Sequence, residues 1–227
     1  MLPSQTVENY LKTIYLAQLA LDAGDTLVPM GLLASSLGVV PGTATTMVKT
    51  LSESGLVKYE PYMGVRLTPA GEKLAGLVLR RHRLVELFLV KVLGMSWAEV
   101  HDEAERLEHA VSERLIDRID EMLGRPAVDP HGDPIPTPEG MIVGPPTQLV
   151  DLVGAPLDRP LVVERVIDQD PAFLRFIEQR QLMPGRIVIV EARDLSADSV
   201  RLGLTEGQPI TVGMRAASKV LVSVVSE

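Results

Sequence analysis

The feature that most restricts this fold is an order of local signals between residues 4 and 93: helix, helix, helix, β-hairpin, helix. Residues 4–22 read as a first helix, capped by Ser4 or Thr6, with Val7, Tyr10, Leu11, Ile14, Tyr15 and Leu19 as its apolar stripe and Ala23-Gly24-Asp25 as its stop. A short helix over Pro29–Leu37 stops at Gly38, and Pro41-Gly42-Thr43 opens a third that runs to about Ser54 before Gly55. Ala34 permits close helix approach and Gly38 suits the turn, so these two helices carry the marks of a helix-turn-helix. Leu56–Glu60 and Val65–Thr68 flank the turn Pro61-Tyr62-Met63-Gly64, which predicts a hairpin. Thr68 then caps a long helix from Pro69 to about Leu93.

A hairpin behind a helix-turn-helix is a winged helix, whose second helix enters the major groove of DNA. The candidate DNA contacts are Pro41, Gly42, Thr43, Thr45, Thr46 and Lys49 on that helix and Lys58, Tyr62 and Arg66 on the wing. Thr-rich helix starts are also ordinary caps, so the order of elements carries this reading rather than the threonines.

The middle of the chain holds the chemistry. Val100-His101-Asp102-Glu103-Ala104-Glu105-Arg106-Leu107-Glu108-His109 contains no Gly or Pro and reads as helix, with Ser96 and Glu99 as a capping box. Val111, Leu115, Ile116 and Ile119 extend its apolar stripe to Leu123, where Gly124-Arg125-Pro126 ends it. His101, Glu105, Glu108 and His109 then share about a third of the helix circumference. Two imidazoles and two carboxylates on one face resist close packing unless a cation sits among them. The four histidines, His82, His101, His109 and His131, each have a carboxylate at close spacing: Glu86, Glu105, Glu108 and Asp129. With no Cys in the chain, the donors are nitrogen and oxygen, a set that suits Mn(II) or Fe(II). Co, Ni and Zn bind such donors tightly as well, so donor type alone does not fix the metal.

The net charge of −8 argues against a constitutive nucleic-acid binder. Charge is balanced up to residue 80, however, and the acidic excess lies beyond, where divalent cations would cancel part of it. The opening residues lack a signal-peptide pattern and no run reaches the ~18 apolar residues of a membrane helix, so the expectation is a cytoplasmic chain without a membrane partner. Residues 126–148 are rich in Pro and Gly: 129–136 read as an ordered turn and 137–149 as a tether. Beyond it, Leu161–Ile167, Arg186–Ala192, Val200–Leu204, Ile210–Met214 and Val220–Val225 read as five strands, with a helix over Pro171–Arg180, which suggests a small barrel. The fold class is mainly α with a β-rich C-terminal domain.

Thr6–Tyr15, the winged helix, Arg81–Glu86, Val100–His109 and His131-Gly132-Asp133-Pro134-Ile135-Pro136 together resemble the diphtheria-toxin-repressor family of metal-dependent transcriptional regulators, which includes the manganese transport regulators. The resemblance implies a winged helix-turn-helix DNA-binding domain over 1–72, a helical dimerisation and metal-binding domain over 73–136, the tether at 137–149 and an SH3-like (FeoA-like) domain over 150–227. It implies two metal ions per subunit. One would be held by Asn9, Glu105, Glu108 and His109; the other by His82, Glu86 and His101, or by His82 with Asp129 and His131, completed by Asp170. The family's iron regulators carry Cys where this chain has Glu105, so Glu105 resembles the manganese branch. Asn9 departs from the usual Met or Asp; its amide oxygen suits a hard ion but brings no charge. The implied function is a homodimeric repressor of metal-uptake genes that binds operator DNA when Mn(II) or Fe(II) is plentiful, with no catalytic activity and no small organic substrate. Three readings compete with it. A winged-helix regulator of an organic effector would bind DNA without metal. A di-metal enzyme on the helical middle lacks a nucleophile elbow and a phosphate loop in support. A pure interaction protein would leave the winged helix without a role.

Overall fold

The computed structural model describes residues 4–21, 27–143, 149–205 and 207–225. The expected Ala23-Gly24-Asp25 helix stop and residues 144–148 of the tether lie outside the described residues. Among the described residues no single helix is long and apolar enough to cross a membrane. The chain forms two compact units: Met1–His82 with Leu107–Ser112 and Pro136–Val143, and Arg83–Arg106 with Glu113–Ile135 and Gly144–Glu227.

In the first unit, α1 spans Gln5–Leu19, α2 Met30–Ser36 and α3 Pro41–Glu53. Ser4 caps α1, its hydroxyl accepting from the Val7 N–H at 3.4 Å, and the helix ends at Ala20, two residues before the expected end at residue 22. Gly38 takes φ +63° in the turn between α2 and α3, a conformation that L side chains rarely adopt. Pro41 sits at the start of α3, and Ala44, Val48 and Leu51 are its buried residues, at the i, i+4, i+7 spacing of one helix face. β1 (Val57–Glu60) and β2 (Gly64–Leu67) pair antiparallel from Val57↔Leu67 to Glu60↔Gly64. Val28 adds a third edge to this wing that the sequence reading missed: its N–H and C=O both bond Val65, at 2.8 and 3.0 Å. A single bridged residue has no period to detect. Leu11, Ile14, Leu33, Val48 and Val65 close the core with no measurable exposure, each contributing about 1.5–3 kcal/mol of apolar burial.

α4 (Pro69–Lys91) begins under Thr68, whose hydroxyl accepts from the Gly71 N–H at 3.2 Å. The first half of the expected tether lies against this helix: a Cβ on Gly76 would stand 1.9 Å from the Gly140 carbonyl oxygen.

The single helix expected from Ser96 to Leu123 is two helices: α5 (Val100–Leu107) and α6 (Glu113–Met122). Ser96 does not cap either; its hydroxyl accepts from the Ala98 N–H at 3.3 Å in a turn ahead of Val100. The chain leaves the helix after Leu107 because Glu108 and His109 pair with side chains of α1 and α4 in the first unit. On α6, Ile116 and Ile119 are buried, whereas Leu115, expected in the stripe, is exposed.

In the second unit, β3 (Val150–Asp151), β4 (Pro160–Val166), α7 (Pro171–Gln179), β5 (Ile187–Asp194), β6 (Ser199–Leu204), β7 (Ile210–Gly213), α8 (Met214–Ala217) and β8 (Val220–Val224) follow in turn. The strands form one antiparallel sheet in the order β3-β8-β4-β5-β6-β7. Five of its strands match the expected segments; two-residue β3 is the addition. Alternate residues Leu161 and Val163, Val188 and Val190, Val200 and Leu202, and Val220 and Val222 point inward, the period-two pattern of a sheet with one covered face. Trp97 and Ala98 join this core. The turn at 129–133 docks on β4: the Val166 N–H donates to the His131 carbonyl at 2.9 Å, and Gly132, at φ +86°, would carry a Cβ only 1.9 Å from the Glu164 carbonyl oxygen.

These contacts make two helical glycines behave oppositely. Gly31→Ala on α2 meets nothing within 4 Å and should stabilise by about 0.5–1 kcal/mol. Gly76→Ala has the same helix propensity gain but a backbone clash, and should destabilise by at least about 2 kcal/mol. Urea unfolding of both variants checks the difference in sign.

Candidate metal centre

α1 brings Glu8, Asn9 and Lys12 to the first unit's polar interior, α4 brings Arg81 and His82, and the segment after α5 brings Glu108 and His109. Glu8 and Lys12, one helical turn apart, are both buried. Glu8 Oε1 pairs with the Arg81 guanidinium at 2.6 Å and Glu8 Oε2 with His109 Nδ1 at 2.6 Å. An ionised carboxylate only accepts, so Nδ1 of His109 carries the proton and Nε2 keeps its lone pair. Glu8 thus orients His109 as the carboxylate partners of metal-ligating histidines do.

Glu108 has no exposure. Lys12 Nζ donates to its two oxygens at 2.7 and 2.9 Å, His82 Nδ1 donates to Oε2 at 2.6 Å, and His109 Nε2 lies 3.2 Å from Oε1. Burial pushes the Glu108 carboxyl up, but His82 and Lys12 together outweigh it and hold the group below its usual range. His109 Nε2 is buried with no hydrogen-bond partner, and so is Asn9 Oδ1, on α1 next to Glu8. A neutral imidazole nitrogen, an amide oxygen and a buried carboxylate are the donors a borderline to hard divalent cation takes, so these residues fit one.

The second unit contains its own cluster. Glu86, Asp129 and His131 are all buried, and each offers one donor atom within 4.8 Å of the others. His131 Nε2 donates to the Trp97 carbonyl at 3.0 Å and the two rings stack with centroids 5.3 Å apart. That bond fixes the tautomer: Nδ1 keeps its lone pair, has no hydrogen-bond partner, and lies 3.9 Å from Glu86 and 4.0 Å from Asp129. Burial, then the neighbouring Asp133 and Glu86 carboxylates, push the Asp129 carboxyl well above its usual range; Arg83, 3.5 Å away, pulls the other way. Two buried carboxyl groups facing an imidazole also fit a divalent cation, which would favour their charged forms. His101 extends this cluster, its Nδ1 3.2 Å from Glu86 and its Nε2 3.7 Å from Glu105.

Asp170 is not brought into this cluster: it caps α7, its Oδ1 accepting from the Ala172 and Phe173 N–H groups at 2.9 and 3.0 Å. Glu8, Lys12 and Arg81 were missed by the sequence reading, because Glu8 and Lys12 at i, i+4 look like a solvated surface pair.

The DNA candidates lie on the first unit. Pro41, Gly42, Thr43, Thr46 and Lys49 are exposed and Thr45 is half-buried. The Thr45 and Thr46 hydroxyls donate back to the Pro41 and Gly42 carbonyls at 2.9 and 3.0 Å. Lys58 and Arg66 face each other across the wing, and Tyr62, at φ +66°, is fully exposed at its tip.

Residues 3–65 match the family model of the iron dependent repressor N-terminal DNA binding domain, and residues 68–137 that of the iron dependent repressor metal binding and dimerisation domain. The chain belongs to the iron-dependent repressor family. The family is one of metal-dependent transcriptional repressors, with a DNA-binding domain and a metal-binding and dimerisation domain, and not of enzymes. The chain is 35% identical over 163 residues to the iron-dependent repressor IdeR of Mycobacterium tuberculosis, covering 70% of this chain and 69% of that one. It is 34% identical over 122 residues to the transcriptional regulator MntR of Lysinibacillus sphaericus, covering 54% and 84%. A solved manganese-dependent transcriptional repressor in complex with manganese matches with a TM-score of 0.82 and 38% identity, covering 96% of this chain and 100% of that one.

The raised Asp129 carboxyl has a pH signature. The folded metal-free chain holds this proton more tightly than the unfolded chain, so stability falls as pH rises from about 4 through the raised folded value. Asp129→Asn removes that decline. Its stability relative to the parent chain should therefore improve as pH rises above about 4, as read by thermal denaturation in chelator.

Proposed function

We propose that this chain is a divalent-metal-activated repressor of metal-uptake genes, acting in the cytoplasm as a homodimer on operator DNA. Mn(II) is the favoured ion and Fe(II) the next, because the candidate donors are carboxylate, amide and imidazole groups and the chain has no Cys. Two ions per subunit are proposed. Glu108 and His109, with Asn9 and His82, would hold one; Glu86, Asp129 and His131, with His101, would hold the other. When bound, an ion supplies two positive charges and fixed ligand directions to these carboxylates and imidazoles.

One observation carries the reading: α1, whose Glu8 and Lys12 grip His109 and Glu108, is packed in the same compact unit as recognition helix α3. Any change in how Glu108 and His109 are held is therefore felt by α1, and through it by the unit that presents α3. A ligand that prefers the DNA-competent arrangement must have its own affinity raised equally by DNA. Val92 and Leu93 after α4, and Leu115 and Met122 on α6, are exposed apolar side chains that suit a homodimer contact.

The test is binding to a DNA pool enriched by selection with the chain in Mn(II). Chelator should abolish specific binding, and Glu108→Gln or His109→Ala should lower Mn(II)-dependent affinity at least about tenfold, roughly 1.4 kcal/mol. DNA affinity indifferent to chelator would overturn the proposal. In the same assay, Lys49→Ala and Lys58→Ala should each lower the slope of log affinity against log salt by about 1 if they meet phosphates.

A further inference from the structure

We propose that Lys12 is a built-in competitor for the metal: its ammonium occupies Glu108 in the metal-free chain and must leave before an ion takes that carboxylate. The inference rests on the ligand assignment of the preceding section and asks what stands in the ion's place. Glu108 has no exposure, and a bare carboxylate in that position would carry a large desolvation cost. Lys12 relieves it, donating to both oxygens at 2.7 and 2.9 Å from a side chain that is itself buried. The two oxygens are also engaged by His82 Nδ1 at 2.6 Å and approached by His109 Nε2 at 3.2 Å. Lys12 Nζ therefore sits on both oxygens at once, where an incoming ion would have to bind. The histidines are donors an ion shares; the ammonium is not, because it has no lone pair and the same sign of charge.

Lys12 stands on α1 by a flexible four-carbon stem, so it can swing away without unwinding the helix. Its attraction to Glu108 stabilises the metal-free state alone. That raises the ion concentration needed to fill the site, and a state held by Lys12 differs from a state held by an ion in how α1 is tethered. Lys12 therefore sets the threshold of the sensor rather than serving as a ligand.

Lys12→Met and Lys12→Gln test this in the full chain, by electron paramagnetic resonance of free Mn(II) and by thermal denaturation. An Asp129→Asn background weakens the second cluster so that one class of site dominates. Both variants should bind Mn(II) at least tenfold tighter than the parent, and their metal-free Tm should fall by more than their Mn(II)-saturated Tm. Lys12→Arg, which keeps the charge, should bind no tighter than the parent. A merely structural lysine would lower both Tm values alike and leave the affinity unchanged or weaker; that result overturns the inference. If a variant folds only when Mn(II) is present, the inference stands; if it fails to fold with or without Mn(II), it falls. Binding by neither parent nor variants would remove the ligand assignment itself, whereas equal binding by both removes the competitor role alone.

Discussion

A carboxylate with no access to water dictates much of the first unit. Glu108 has to be met by cationic or donor groups, and the chain meets it from two other segments: Lys12 on α1 and His82 on α4. Removing one partner of such a buried pair typically costs about 3–5 kcal/mol, because the remaining charge stays desolvated. The demand is strong enough to override local propensity. Nothing in the sequence after Leu107 breaks a helix, yet the backbone turns there so that Glu108 and His109 reach their partners.

The second cluster follows the same chemistry with the opposite balance. Around Glu108 the positive groups outweigh burial; around Asp129 burial and two neighbouring carboxylates outweigh Arg83. One carboxyl is held toward its charged form and the other toward its neutral form. The donors of the second are nevertheless held firmly. The Asp129 side chain accepts from the His131 and Asp133 N–H groups at 2.8 and 3.0 Å, and Gly132 lets the turn press onto β4. These are preorganised donors around a carboxyl whose charged form burial disfavours.

Most of the winged helix was legible because its signals are local: caps at Ser4 and Thr68, Pro41 at a helix start, Gly38 and Gly55 at stops, and a hairpin of alternating residues. The strands of the sheet were legible for the same reason, through their period of two. What stayed hidden is non-local. Val28 and β3 are too short to carry a pattern, and the break after Leu107 is caused by residues about a hundred positions away. The candidate site was legible by residue type, since His and carboxylates cluster between 82 and 131, but not by partner. Glu8 and Lys12 have the spacing of a solvated ion pair and are instead buried on different partners. Asp170 has the chemistry of a ligand and serves as a helix cap.

The stacking of Trp97 on His131 has a practical consequence. The chain contains a single tryptophan, and its ring and its carbonyl both touch a histidine of the second cluster. All intrinsic indole emission therefore originates beside one group of donors, and a paramagnetic ion lodged there would quench it. The protein carries its own optical probe of that position.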